Sequence, residues 1–252
     1  MAVSGTKPRP DLDERSASLW VRDMFSRVAP RYDLLNGVLS FQTDRVWRWR
    51  TARRLRPFLH RDALVLDLCC GTGDLLRALE SAGQARIVGA DFCHPMLIRT
   101  AEKSQAPLLE ADGLQLPLAD SRFDLVTVAF GLRNFANYPR GIAEIYRVLK
   151  PGGRVAILEF TTPPYAATRA FMGFWNRWVT APLGRLISGQ GDAYSYLPES
   201  VARFPDAPLL AQLLRQAGFS SVEFTYFDAG IVALHLAVKP ILPPPPTQFA
   251  VG

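Results

Sequence analysis

The stretch Val65-Leu66-Asp67-Leu68-Cys69-Cys70-Gly71-Thr72-Gly73-Asp74 decides how the rest of this chain is read. Its start is a short apolar run of the kind that makes a buried strand. Gly71 and Gly73 allow a sharp turn, and Asp74-Leu75-Leu76-Arg77-Ala78-Leu79-Glu80 then has the spacing of a helix. A strand, a glycine turn and a helix grip nucleotide-like ligands at the carboxyl edge of doubly wound α/β sheets. The dinucleotide fingerprint is incomplete, because Leu76 stands where its third glycine belongs. A helix N-terminus draws in a pyrophosphate through its unpaired N–H groups and dipole. Here Asp74 occupies that mouth and Asp67 lies at the end of the strand before it. Two carboxylates repel a phosphate and suit a ligand with an ammonium group and no phosphate. S-adenosylmethionine, with its amino-acid end, sulfonium, ribose and adenine, is such a ligand; a plain capping role for Asp74 is the competing explanation.

Outward from this stretch the chain alternates strands and helices. Ile87-Val88-Gly89-Ala90-Asp91 reads as a second strand ending in an acid, near the roughly 20-residue offset at which a carboxylate takes ribose hydroxyls in such folds. Pro95 opens a helix to about Glu102, Leu108–Ala111 is a third strand, and Asp112-Gly113 is the turn at its end. Asp112 faces either an adenine amino group or only its own turn. Phe123–Phe130 is the fourth strand, and a helix over Pro139–Leu149 stops at the turn Pro151-Gly152-Gly153. Arg154–Phe160 is the fifth strand and Ala207–Ala217 a helix closed by Gly218. Val222–Phe227 and Ile231–Val238 are joined only by Asp228-Ala229-Gly230, too short for a helical crossover, so they pair antiparallel.

The 252 residues and 48% hydrophobic content suit a globular chain with a sizeable core. The net charge of +6 suits RNA, DNA or an anionic membrane surface. Cys69, Cys70 and Cys93 form no spaced framework and no paired zinc ligands, so no metal is expected and the thiols read as small buried groups in a reducing compartment. With no leader-like start and no apolar run near the length of about 20 residues that a membrane span needs, the expected location is the cytoplasm. Trp20, Trp47, Trp49, Trp175 and Trp178 all fall outside the sheet-forming stretches, in two flanking helical regions. These regions are expected to build an apolar lid or tunnel. The arginines between Arg45 and Arg56, interleaved with Trp47 and Trp49, form either a face for anionic lipid headgroups or a solvated basic face over buried tryptophans. The division that follows is a disordered tail (1–18), a helical cap (19–62), a cofactor-binding core (63–160), a cap insertion (161–205), a last helix and strand pair (206–239) and a Pro-rich tail (240–252).

Asp67-Leu-Cys-Cys-Gly-Thr-Gly-Asp74, with Asp91, Asp112 and Leu149-Lys-Pro-Gly-Gly153, resembles the class I methyltransferases. Phe25-Ser-Arg-Val-Ala-Pro-Arg-Tyr-Asp33 with Asn36 and Ser40, Phe130-Gly-Leu-Arg-Asn134, Arg147-Val-Leu-Lys-Pro-Gly-Gly153, Ala193-Tyr-Ser-Tyr-Leu-Pro-Glu-Ser200 and Gly230-Ile-Val-Ala-Leu-His235 are more specific. They resemble, over about residues 19–239, the UbiE/MenG family of quinone-biosynthesis C-methyltransferases. The resemblance implies a Rossmann-like α/β fold of seven strands, the last antiparallel, with a helical cap. It implies S-adenosylmethionine as donor, with contacts at Thr72, Asp91, Asp112 and Gly113, which join Asp67, Gly71 and Gly73 of the glycine turn as the expected cofactor-binding residues. The acceptor it implies is a prenylated quinol, typically demethylmenaquinol. Ala129 departs from the family, many of whose members carry serine there. Arg133, beyond the fourth strand, is expected to stabilise a phenolate or orient a water, with Asn134 holding the hydroxyl. Tyr32 and Asp33 are expected to close over the donor and quinol, with Asp33 a candidate base. Tyr196 and Trp175 are expected to touch the substrate, while His235 reads as a structural histidine. A homodimer and peripheral membrane contact are compatible with this reading. An RNA methyltransferase is disfavoured, because Phe-Gly-Leu-Arg replaces the amino-methylation motif after the fourth strand, so no nucleic acid is expected. A benzoquinol methyltransferase and a quinone-binding subunit without turnover remain as alternatives.

Overall fold

Strands buried on both faces belong to parallel sheets covered by helices, and β1 (Leu64–Leu68) is of that kind. Leu66 and Leu68 pack with Val126, Val128 and Ile157 in one apolar cluster, whereas Val65 packs with Leu125, Ala156 and Leu158 in another. That alternation is the period of two of a strand with a core on each side. The computed structural model describes residues 5–9, 11–32, 42–175, 196 and 199–241. Asp33, Asn36, Ser40, Trp178 and the link 188–195 lie outside the described residues, as does the side chain of Trp175.

With β1 run β2 (Arg86–Asp91), β3 (Leu108–Glu110), β4 (Phe123–Ala129), β5 (Leu149–Phe160), β6 (Ser220–Phe227) and β7 (Val232–Val238). They form one seven-stranded sheet in the order β3-β2-β1-β4-β5-β7-β6. β1 pairs parallel with β2 and β4, and β7 is antiparallel to both of its neighbours, β5 and β6. The direction of strand addition reverses between β1 and β4, which is where open α/β sheets bind ligands. Helices α1 (Glu14–Val28), α2 (Thr43–Leu55), α3 (Asp74–Ala82), α4 (His94–Ala101), α5 (Tyr138–Val148), α6 (Ala166–Trp175) and α7 (Ala207–Gln216) complete the named elements. Trp47 and Leu55 of α2 and Leu75 and Leu79 of α3 cover the Val65 face; Ile142 and Ile145 of α5 and Leu210 and Leu214 of α7 cover the other.

Two boundaries differ from the sequence reading. The expected tail at 1–18 is in large part ordered: Asp13 caps α1 by accepting from the Ser16 amide at 2.7 Å, and Thr6, 3% exposed, donates its amide to the Phe135 carbonyl at 2.8 Å. Polar Asp13-Glu14-Arg15-Ser16 hides a helix start because its order comes from a cap and from the Glu14–Arg140 ion pair, not from apolar spacing. Pro151-Gly152-Gly153, read as a turn before the fifth strand, is instead a bulge within β5. The register steps from Phe123↔Leu149 directly to Leu125↔Arg154, Gly152 takes φ +80°, and Lys150 pairs with Asp124 at 2.7 Å. His235 in β7 is structural, as expected: it is buried, its Nε2 meets the Ala207 carbonyl at 2.9 Å, and burial pushes its pKa down to about 4. Among the described residues no helix is long and apolar enough to cross a membrane, and no cluster of three His, Cys, Asp or Glu side chains forms a metal site.

Candidate active site

The glycine turn after β1 is built from left-handed backbone. Gly71 and Gly73 have φ of +57° and +84°, and Cys69, without glycine's freedom, has +58°. Phe130 just after β4 is equally strained at +57°. The two strand ends approach so closely that a Cβ on Gly131 would lie 2.3 Å from that of Cys69. A Cβ on Gly71, by contrast, would meet nothing within 4 Å, so its backbone lies open. The turn is tied to β2 through Asp91, whose Oδ2 accepts from the Gly71 amide and Oδ1 from the Cys93 amide, both at 2.9 Å. Burial pushes the Asp91 carboxyl up to about 6 against those hydrogen bonds. Asp67 is pushed further, to about 7, by burial that Thr127 and Arg48 only partly oppose. Thr127 donates to its Oδ1 at 2.6 Å, while Oδ2 has no hydrogen-bond partner among the described residues.

Above these strand ends lies a cleft of two adjoining lobes. One, of about 650 Å³, is lined by Asp91, Asp112 and Gly113 together with the aromatic Phe25, Phe92 and Phe135. The other, about 310 Å³, is lined by Asp67, Thr72, Asp74 and Arg48. Tyr32, Cys69, Gly71 and Ala129 line both. The first lobe sets a few polar groups over apolar walls, the make-up of small-molecule sites. Asp112 spends Oδ1 on its own turn, accepting from the Leu114 amide at 2.9 Å. Gly113 is required by packing, since a Cβ there would stand 2.3 Å from the Phe135 ring. Cys69 offers no nucleophile: burial, then Asp91 and Asp67, hold its thiol well above the ordinary value.

The side chains after β4 differ from expectation. Asn134 lines the large lobe, but Arg133 lines neither. Its guanidinium is 4% exposed and is not a free cation. Nη1 donates to Glu159 at 2.8 Å and to the Phe130 carbonyl at 2.6 Å, with the Phe160 ring 5.5 Å away. Burial opposes its charge, but the Glu159 carboxylate outweighs that and raises its pKa. Tyr196 is likewise withdrawn from the cleft. Its hydroxyl donates to Asn134 Oδ1 at 3.1 Å and meets Thr6 Oγ1 at 3.1 Å, and its ring packs on Trp20. Tyr196 thereby orients the Asn134 amide from behind instead of facing the lobe itself. Arg48 was read only as part of a basic helix, yet it is 7% exposed and lines the smaller lobe. The strain at Cys69 and Phe130 carries no sequence signal, because neither residue is the type that favours it.

Solved structures share this architecture. An S-adenosylmethionine-dependent methyltransferase from Thermotoga maritima superposes with a TM-score of 0.61 at 17% identity, covering 86% of this chain and 99% of its own. The cyclase SpnF superposes at 0.67 and 18% identity, covering 89% and 97%. A cyclase on the same frame means that fold by itself does not set the chemistry. With an acid-lined cleft at the switch point and this sequence around it, the protein is an S-adenosylmethionine-dependent methyltransferase. More particularly, the chain belongs to the ubiE/COQ5 methyltransferase family, whose model matches residues 11–239. Relatives named demethylmenaquinone methyltransferase include that of Thermus thermophilus, 46% identical over 86% of this chain and all of its own. That of Deinococcus radiodurans is 45% identical over 82% of this chain and 88% of its own.

Proposed function

We propose that this chain methylates a ring carbon of a prenylated quinol, converting demethylmenaquinol to menaquinol. The carrying observation is the two-lobed cleft, an acid-lined lobe joined to an aromatic one, in a chain whose relatives of 45–46% identity bear that activity in their names. Asp67, Thr72, Gly71, Gly73, Asp91, Asp112 and Gly113 are proposed to hold the donor. The unpartnered Oδ2 of Asp67 and the paired oxygens of Asp91 suit its ammonium and hydroxyl donors. When bound, S-adenosylmethionine supplies an electrophilic methyl group on a sulfonium.

What remains for the protein is to align the ring carbon and make it nucleophilic. A phenol ionises near pH 10 in water, so the cleft must favour the phenolate. Asn134 is proposed to bind the quinol oxygen through its amide N–H, since Tyr196 already occupies its carbonyl oxygen. Arg133 is proposed as a positioning residue: it pins the Phe130 carbonyl beside Asn134, while its charge is taken up by Glu159. Tyr32 lines both lobes and is proposed, with Asp33, to close over donor and quinol, Asp33 taking the hydroxyl proton. Trp175 is proposed to contact the acceptor. The test is methyl transfer from labelled S-adenosylmethionine to reduced demethylmenaquinol, with a reduced benzoquinol precursor and RNA in parallel. Label on the naphthoquinol is expected; label only on the benzoquinol or RNA refutes the assignment.

Peripheral membrane contact is proposed through one face of α2. Arg45, Trp49, Arg53 and Arg56 recur at helical spacing, Trp49 is 55% exposed, and the Arg53 guanidinium lies 5.4 Å from its ring centre. Arg50 and Arg54 are drawn instead to Asp228 and Glu223, at 3.3 and 3.4 Å. Each basic residue at an anionic surface contributes about 1 kcal/mol. Arg45→Gln with Arg53→Gln should therefore weaken binding to vesicles containing phosphatidylserine by roughly tenfold or more. Binding that ignores vesicle charge and salt would exclude this face.

A further inference from the structure

The smaller lobe contains a cation as well as acids. Arg48 reaches it from α2, and its guanidinium is fixed on several sides. Asp44, one helical turn earlier and itself 7% exposed, pairs with Nη1; the Phe130 ring centre lies 5.2 Å from Cζ; and Asp74 Oδ2 stands 4.0 Å from Nη1. Asp74 is also shared with Lys103 at 3.3 Å. A guanidinium is a planar fork of five donors, and one carboxylate occupies only an edge of it. A lobe with Asp67 and Asp74 as its sole charges would attract an ammonium but repel the carboxylate on the same carbon of an amino acid. A buried arginine held beside those acids makes the lobe complementary to both charges of a zwitterion.

We infer that Arg48 receives the carboxylate of the methyl donor's amino-acid end, with Asp44 as the positioning residue that holds the guanidinium in place, while Asp67 faces the ammonium. The inference rests on the methyl-donor reading of the cleft and adds to it the group that recognises the donor's far end. A charge-assisted, fork-like contact to a carboxylate is the strong kind of hydrogen bond. Its loss should cost about ten- to a hundredfold in affinity.

The test is calorimetric binding, without acceptor, of S-adenosylmethionine and of its decarboxylated form, which differ only in that carboxylate. Wild type should bind the decarboxylated form at least about tenfold more weakly. Arg48→Gln should weaken S-adenosylmethionine to about the same level and leave the decarboxylated ligand unchanged or tighter. The double variant Asp44→Asn/Arg48→Gln, which strands no carboxylate, should repeat that pattern. Equal binding of the two ligands by wild type overturns the inference, as does an equal loss for both in the variants. If wild type binds neither, the methyl-donor reading itself falls, and Arg48 with it.

Discussion

Arg133→Ala is expected to lower unfolding stability by about 3–5 kcal/mol, the cost of leaving one partner of a buried ion pair alone. Glu159 is the partner, 1% exposed, and it also accepts from the backbone amides of Phe160 at 2.9 Å and Arg133 at 3.3 Å. Burial pushes the Glu159 carboxyl above its ordinary value, and the guanidinium is the main force opposing that rise. Without it the folded-state pKa moves higher still. A carboxyl raised on folding contributes stability that is present below its unfolded value and is lost as pH rises through the folded one. The variant should therefore be most stable in acid and lose stability steadily toward neutral pH, more steeply than wild type. Arg133→Ala/Glu159→Gln should recover a large part of the loss and flatten the added slope. Urea unfolding at pH 5, 7 and 8 checks both. A single variant within 1 kcal/mol of wild type, with no added pH slope, would be incompatible with the pair described.

The same pair shows where sequence reading stops. Arg133 is visible as a charge beyond a strand, but its partner sits 26 residues away inside the apolar run Ala156-Ile157-Leu158-Glu159-Phe160. Nothing local says that the acid turns inward to meet it. The β1–turn–α3 unit, the acids closing β1 and β2 and the antiparallel β6–β7 pair were legible because each rests on neighbours in the chain: an apolar run, a glycine, a short link. Asp91 could be read from its offset, whereas Arg48 could not be separated from Arg45, Arg50, Arg53 and Arg54. Helix α2 carries arginines around most of its circumference, so apolar spacing does not single out the one that faces inward. Thr6 and Tyr196 meet across 190 residues, a contact no periodicity encodes. Features made by local backbone preference appear in sequence; features made by the meeting of distant strand ends do not.

Asp91→Asn is expected to separate donor binding from stability. In wild type both oxygens accept, from Gly71 and Cys93, and each retains acceptor capacity toward ribose hydroxyls. An amide has one acceptor oxygen, so its NH2 must face one of those two backbone donors and strand it, at about 1–3 kcal/mol. Against that cost, burial has raised the wild-type carboxyl from 3.8 to about 6, which corresponds to about 3 kcal/mol lost as pH rises through that range. An uncharged amide does not incur that loss. The two effects oppose each other at similar size, so stability of the donor-free variant at pH 8 should stay within about 2 kcal/mol of wild type. Affinity should not be spared: replacing a charged acceptor for two hydroxyls costs about 1.5–3 kcal/mol per contact, or at least about a hundredfold in all. Hydroxyl donors bind the ionised carboxylate, so the part of the wild-type gain in affinity for S-adenosylhomocysteine that belongs to Asp91 should come as pH increases through about 6. Asp67, raised to about 7 and set toward the ammonium, adds a further rise in affinity with pH that survives in the variant. The difference between the two proteins, not either slope alone, therefore belongs to Asp91. Affinity of the variant within threefold of wild type at pH 8 would mean that the ribose is not held at this carboxylate, and that the pH dependence comes from Asp67 at the other end of the cleft.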